Sequence, residues 1–266
     1  MTQLRELYHI AQAVIADAER LFRRGVGASP LHLKNQGQFA TEIDLAIEQQ
    51  LRQDLTTMTG LPVMGEEYGG ENNQYTWVVD PVDGTANYAA GNPMSAILIS
   101  LVLDGHPVVA LTSVPLIGQR FGAFENSPLF VNGIAQAPVR ERPQVAAHIG
   151  FSSVAATVES EQQNFSTLMR HGLLGELTQT YLRPRITGSV GIDLAYTAAG
   201  IFGGAISFSP NIWDNAAGVL LCQAAGAKVT DLEGNPWTAE SVGVVVGTDH
   251  AHETILATMN KVRNSF

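Results

Sequence analysis

The stretch at residues 77–93, WVVDPVDGTANYAAGNP, constrains the fold more than any other. Trp77, Val78 and Val79 form an apolar run of the kind that ends a strand buried on both faces. Two carboxylates follow three residues apart, Asp80 and Asp83, and Pro81 between them has a fixed φ. Asp83-Gly84 favours a tight turn, so both acids project from one corner of backbone. Residues 85–90 then begin a helix that Gly91 and Pro93 stop. Hard oxygen donors at a strand end, beside free N–H groups at a helix start, suit a divalent cation carrying a phosphate. The plainer reading is an ordinary turn in which Asp, Pro and Gly are punctuation.

Around this stretch the chain alternates helices and strands. Leu4, Leu7, Tyr8, Ala11, Val14, Ile15, Ala18, Leu21 and Phe22 recur at helical spacing, which predicts a helix over 3–24 closed by Gly25. A second helix over 41–55 carries Ile43, Ile47, Leu51 and Leu55 on one stripe. Its opening, Thr41-Glu42-Ile43-Asp44, fits a capping box, so capping is the plainest role for Asp44. A short strand at 62–64 leads into Gly65-Glu66-Glu67, and runs at 96–103, 108–113, 120–124 and 129–131 predict an antiparallel meander.

The second half reads as a strand at 145–150, a helix at 159–171 and a strand end at 185–189. A helix at 192–199, a strand at 205–208 and a helix at 214–225 follow. Strands at 228–231 and 242–246 and a helix at 250–262 close the chain. The division expected is an N-terminal helix-plus-antiparallel-sheet half, 1–140, and a C-terminal α/β half, 141–266. The fold class is α+β.

Composition narrows the function. The net charge is −10 and the 15 lysines and arginines are scattered, which argues against a nucleic-acid partner. The longest apolar run, 96–111, is broken by Asp104-Gly105-His106-Pro107, so no membrane span is expected. Arg5, Glu6, Asp17, Glu19 and Arg20 break the first 22 residues, so no signal peptide is expected and the location expected is cytoplasmic. The single cysteine, Cys222, lies in an apolar stretch and reads as a small core residue.

Three acidic corners stand out: Glu66-Glu67, Asp80 with Asp83, and Asp214 in NIWDNAAG. Taken singly, Asp214 reads as a helix N-cap and Glu66-Glu67 as a solvated turn. Gathered in one place they demand cations, because like carboxylates at close range resist joint ionisation. Oxygen-only ligands favour Mg²⁺ or Mn²⁺ over zinc. His250-Ala251-His252-Glu253 reads as a helix start with exposed histidines.

GEE at 65–67, DPVDGT at 80–85 and WDNAAG at 213–218, in that order, resemble the inositol monophosphatase family within the lithium-sensitive, magnesium-dependent sugar phosphatases. FATEIDLAIE at 39–48, NYAAGNP at 87–93 and GGAISF at 203–208 look most like its actinobacterial inositol-1-phosphatases. The resemblance implies a layered αβαβα sandwich, a homodimer, and Mg²⁺-dependent hydrolysis of a small phosphate ester, inositol-1-phosphate, by metal-activated water. It implies two or three Mg²⁺ ions, replaceable by Mn²⁺, on Glu66, Asp80, the Val82 carbonyl, Asp83 and Asp214. Glu66, Thr85 and Asp44 would be the catalytic residues, with Thr85 orienting the attacking water and Asp44 behind it. Asp83, Gly84, Thr85, Arg185, Gly188, Ser189, Val190 and Asp214 would contact the substrate.

One departure from the family pattern is the absence of any acid at residues 207–212, where many inositol phosphatases carry a glutamate against the inositol hydroxyls. Histidinol phosphate, fructose 1,6-bisphosphate and adenosine 3′,5′-bisphosphate are therefore alternative substrates. A non-catalytic protein that senses metal or sugar phosphate is the alternative of a different kind.

Overall fold

The computed structural model describes residues 2–28, 32–33, 39–71, 73–141, 147–154 and 165–265. Its central strand, β4 (Tyr75–Asp83), is the apolar run expected around Trp77. On one side it pairs parallel with β3 (Val63–Gly65), with Val63 opposite Trp77. On the other it pairs antiparallel with β5 (Ala96–Leu103), with Trp77 opposite Leu101. The meander continues through β6 (His106–Val114), β7 (Gln119–Phe124), β8 (Phe130–Val131) and β9 (Ile134–Ala135), giving one seven-stranded sheet in the order β3 to β9. Before it, β1 (His32–Leu33) and β2 (Phe39–Ala40) form a separate antiparallel pair.

Alternation along β4 assigns its two faces. Trp77 and Val79 point into a core with Ile97 and Ile99 of β5, covered by α1 (Thr2–Arg24) and α2 (Glu42–Thr59). Phe22, Ile15, Ile47, Leu51 and Leu55 fill that layer. Val78 points the other way, into a core with Ala96, Leu98 and the helices α5 (Val190–Ala198) and α6 (Ile212–Ala224).

Those two helices also cover a second sheet, in which β10 (Ala147–Phe151) pairs parallel with β11 (Leu182–Arg185) and β12 (Gly204–Ser207). The remaining strands, β13 (Lys228–Thr230) and β14 (Val244–Gly247), complete the order β11-β10-β12-β14-β13. Its outer face packs Ile206 and Val245 against Leu173 and Leu177 of α4 (Thr167–Thr178) and Ile255 and Met259 of α7 (Asp249–Arg263). Helix, sheet, helix, sheet and helix layers follow one another, the αβαβα sandwich expected.

Several boundaries differ from the sequence reading. The helix expected at 159–171 is α4, whose start is set by Ser166, the hydroxyl of which accepts from the Met169 N–H at 3.3 Å. Residues 159–164 lie outside the described residues, as do 145–146 of the expected strand. Strand β11 lies at Leu182–Arg185, not 185–189. Helix α6 begins at Ile212, so Asn211 is the N-cap and Asp214 sits inside the first turn.

The middle layer depends on close approach. A Cβ added at Gly218 of α6 would overlap the Leu194 side chain of α5. Gly218→Ala should therefore cost about 1–3 kcal/mol by overpacking, outweighing the ~1 kcal/mol gain in helix propensity. A lower urea midpoint at unchanged m-value checks this; a rise in midpoint would contradict it.

Candidate active site

The pairing of β4 with β5 shifts between Asp80 and Asp83, with Asp80 opposite Leu98 and Asp83 opposite Ala96. This is a bulge placed where Pro81 has no N–H to give to the ladder, and it re-aims the acids at the strand end. Asp80 is 1% exposed, and its Oδ1 accepts the Val82 N–H at 3.0 Å. Asp83 reaches across to α5. Its Oδ2 accepts the Ser189 hydroxyl and the Gly191 N–H at 2.8 Å, and its Oδ1 accepts the Val190 N–H at 3.2 Å. A Cβ at Gly191 would stand 2.9 Å from Asp83 Oδ2, so a glycine is needed there.

Asp214 approaches from α6. Its Oδ2 accepts the Ser209 hydroxyl and Asn211 Nδ2 at 3.4 Å. The segment lacking the expected glutamate thus supplies the donors that hold Asp214. Asn215 fixes this turn by donating Nδ2 to the carbonyls of Ser209 at 2.9 Å and Asn211 at 3.0 Å.

Asp44 does both things the sequence offered. Its Oδ2 accepts the Thr41 N–H at 3.0 Å and the Thr41 hydroxyl, completing the capping box of α2. Its Oδ1 lies 3.5 Å from the Thr85 hydroxyl, which also donates to the Val82 carbonyl at 3.0 Å. Thr85 opens α3 (Thr85–Ala89) after Gly84, whose φ is 81°.

Glu66 stands on the turn after β3, and a residue not singled out in the sequence supports that turn. Glu48 of α2 is fully buried, and its carboxylate accepts the N–H groups of Glu67 at 2.7 Å and Tyr68 at 3.0 Å. A Cβ at Gly65 would overlap that carboxylate, which is why the acidic pair follows a glycine. Arg52, one turn along α2, donates to Glu48 at 2.8 Å and clamps the carbonyls of Val63 at 2.5 Å and Gly69 at 2.7 Å. The Glu48–Arg52 spacing of four on a helix is the signal that could have found it. Asn87 does the same for the opposite wall, donating Nδ2 to the carbonyls of Met94 at 2.6 Å and Thr187 at 2.8 Å.

Electrostatics bind the acids into one group. Burial pushes the Asp80 carboxyl well above the usual carboxylate range, and the charges of Glu66, Asp83, Asp214 and Asp44 add to it. Burial raises Asp83 to about 6 against the lowering pull of the Ser189, Gly191 and Val190 donors. Asp214 is likewise raised to about 6, by burial first, with Ser209 opposing. Among the described residues no lysine or arginine is ion-paired with Asp80, Asp83 or Asp214.

Nor do any three acidic, histidine or cysteine side chains, among the described residues, already close on one metal-sized point. Asp83 and Asp214 are turned toward serine hydroxyls, as mutual repulsion favours. Carboxylates without an ion-pair partner among the described residues, in an all-oxygen donor set, fit Mg²⁺ or Mn²⁺.

Other expected residues fall at the edge. Gly188 is exposed and abuts the DPVDGT turn, since a Cβ at Gly84 would lie 3.0 Å from the Gly188 carbonyl. Arg185 is exposed, with its guanidinium 2.9 Å from His148 Nε2 of β10. His252, expected to be exposed, is buried and sits 2.9 Å from the Thr230 hydroxyl. His250 stacks on Tyr181 with ring centroids 4.8 Å apart, so the two histidines do not converge.

The model of the inositol monophosphatase family matches residues 3–264 of this chain. The chain belongs to the inositol monophosphatase family. It is 43% identical over 256 residues to the inositol-1-monophosphatase ImpA of Mycolicibacterium smegmatis, covering 96% of this chain and 92% of that one. It is 41% identical over 254 residues to the probable inositol 1-monophosphatase ImpA of Mycobacterium tuberculosis, covering 95% and 93%. Among solved structures, the extragenic suppressor protein suhB of Bartonella henselae superposes with a TM-score of 0.84 at 25% identity, covering 97% of this chain and 99% of that one. The actinobacterial likeness read from the loops is borne out.

In this family member the raised carboxyls make a pH prediction. An unfolded Asp titrates near 3.9. A carboxyl whose folded value is higher gives stability that is full below the unfolded value and lost as pH rises through the folded one. In excess chelator the melting temperature should therefore fall between about pH 4 and pH 7, spanning the values near 6 of Asp83 and Asp214. Asp80→Asn keeps an oxygen for the Val82 N–H and removes a buried charge, so it should raise the melting temperature at pH 7.5 and flatten the fall. A variant that melts lower at pH 7.5 would contradict this.

Proposed function

We propose that this chain hydrolyses inositol-1-phosphate to inositol and phosphate in a Mg²⁺-dependent reaction. The observation that carries the reading is the group of raised carboxyls, buried Asp80 and Asp83 with half-buried Asp214 beside them, without an ion-pair partner among the described residues. The named inositol-1-monophosphatases that match nearly the whole chain support the same substrate.

Glu66, Asp80, the Val82 carbonyl, Asp83 and Asp214 would hold two or three Mg²⁺ ions, with Mn²⁺ able to substitute. Bound there, Mg²⁺ supplies the positive charge that draws in the phosphate, stabilises the leaving oxygen and makes water a better nucleophile. The protein's own groups position. The Asp44 carboxylate faces the Thr85 hydroxyl, which leaves the Thr85 oxygen ready to accept a hydrogen bond from the attacking water. Glu66 would act from the turn whose next residue, Glu67, gives its N–H to Glu48, itself held by Arg52. Backbone N–H groups of Gly84 and Thr85 would serve the phosphate, where a glycine in left-handed geometry lets the chain turn tightly. No serine, cysteine or histidine nucleophile is required for an in-line displacement by water.

The alcohol half meets a different wall. Ser189 and Val190 spend their hydroxyl and amide on Asp83, leaving Gly188 and Arg185 at the rim. Ser209 and Asn211 are committed to Asp214. One charge-assisted hydrogen bond fewer to the sugar is worth about 1.5–3 kcal/mol, or roughly ten- to a hundredfold in discrimination.

Phosphate release should therefore be measured from inositol-1-phosphate, glycerol-2-phosphate, fructose 1,6-bisphosphate and histidinol phosphate under one set of conditions. The expected result is inositol-1-phosphate first, with another polyol phosphate within about two orders of magnitude in kcat/KM, and no release in excess chelator. Release that persists in chelator, or no activity toward inositol-1-phosphate at any Mg²⁺ concentration, would overturn the proposal.

A further inference from the structure

A second polar cleft lies away from these carboxylates, where the last turns of α1 meet the β6–β7 connection, with a volume of about 350 Å³. Its floor is an ion pair built on Glu19, which is 8% exposed. Glu19 Oε1 accepts the Ser113 hydroxyl at 2.6 Å and Arg120 Nε and Nη2 at 3.0 and 2.7 Å. Glu19 Oε2 is 3.5 Å from Arg23 Nη2, and Arg23 Nε donates to the Pro115 carbonyl at 3.3 Å.

Two guanidiniums and one carboxylate line the cleft, with no further charged side chain. It therefore holds one excess positive charge on a chain whose net charge is −10. A carboxylate is costly to bury unless donors surround it. Here it fixes two arginines side by side and cancels only one of them.

Two groups remain unspent. Arg23 Nη1 has no acceptor among the described residues, and Gln119 Oε1 is buried without a donor. The lining thus has a cationic donor to offer and a neutral acceptor to satisfy. Guanidinium forks match the planar or tetrahedral oxygens of carboxylate and phosphate. The lining has no aromatic ring, so a nucleobase would find no stacking surface. The volume is that of a small-metabolite pocket.

We propose that this cleft is a binding site for a small oxyanion, the phosphate or carboxylate group of a polar, hydroxyl-bearing metabolite. The site is independent of the reaction at the carboxylates and stands or falls without it.

The test is calorimetric titration of inorganic phosphate, and separately of succinate, into the full chain in excess chelator. Without cations the carboxylate site has no positive charge with which to hold either probe. Saturable binding is expected, with phosphate tighter if the natural ligand is a phosphate and succinate tighter if it is a carboxylate. Arg23→Gln should weaken binding about tenfold or more by removing the unspent donor and the excess charge. Its side chain is 46% exposed, so the fold survives the change, which circular dichroism checks. Glu19→Gln should tighten binding by adding a net positive charge, a direction that mere loosening of the cleft does not produce. No saturable binding of either probe below ~10 mM, or binding that Arg23→Gln leaves unchanged, would overturn the proposal.

Discussion

The mutual repulsion of buried carboxylates at the end of β4 is the constraint that the rest of the structure answers. Burial denies Asp80 water to spread its charge, and Glu66, Asp83, Asp214 and Asp44 all push its carboxyl toward the protonated form. Above its folded titration range such a group no longer stabilises the chain. What the chain gains is a place where the proton is easily exchanged for a cation, and the local structure is arranged to keep the acids there. Asp83 is tied to three donors at the start of α5, Asp214 to Ser209 and Asn211, and Asp44 to Thr41. The ties bring α2 of an outer layer and both helices of the middle layer to the end of β4.

Those ties explain otherwise unremarked residues. Helix α2 serves the site three times: Asp44 backs Thr85, Glu48 carries the turn of Glu66, and Arg52 locks the flanking carbonyls. Because Leu51, Leu55 and Ile47 anchor that helix in the core under Trp77, the position of Glu66 is inherited from packing far below it. The middle layer works alike. Gly218 lets α6 lie close on α5, and this places Asp214 opposite the hydrogen bonds that α5 gives to Asp83. Fold and site share the same contacts.

Much of this was legible in the chain. Strict apolar patterning marked α1, α2 and the strands of the first sheet, since their burial follows simple periods of 3.6 and 2. The acids were legible because Pro81, Gly84 and Gly65 leave the backbone few alternatives around them. What escaped was long-range. Glu48 looked like one more polar residue on an amphipathic helix, and only the turn 19 residues later gives its burial a reason. The bond from the Ser189 hydroxyl to Asp83, 106 residues earlier, had no signal in the sequence either. His252 was read as exposed because the first turn of a helix usually is, but Thr230 of β13 covers it. Pairings of this kind are set by which layers meet, and periodicity within one element carries no record of them.

The central claim is that the cation replaces a proton on carboxyls that the fold holds above their ordinary titration range. The direct measurement is the number of protons released when Mg²⁺ binds, from titration calorimetry in two buffers of different ionisation enthalpy at pH 6 and again at pH 8. Metal ligands must be deprotonated to bind, so raised carboxyls must shed protons on loading. With Asp83 and Asp214 titrating near 6 and Asp80 raised as well, the account predicts clear proton release at pH 6 and less at pH 8. Mg²⁺ binding with no proton release at pH 6 would contradict it.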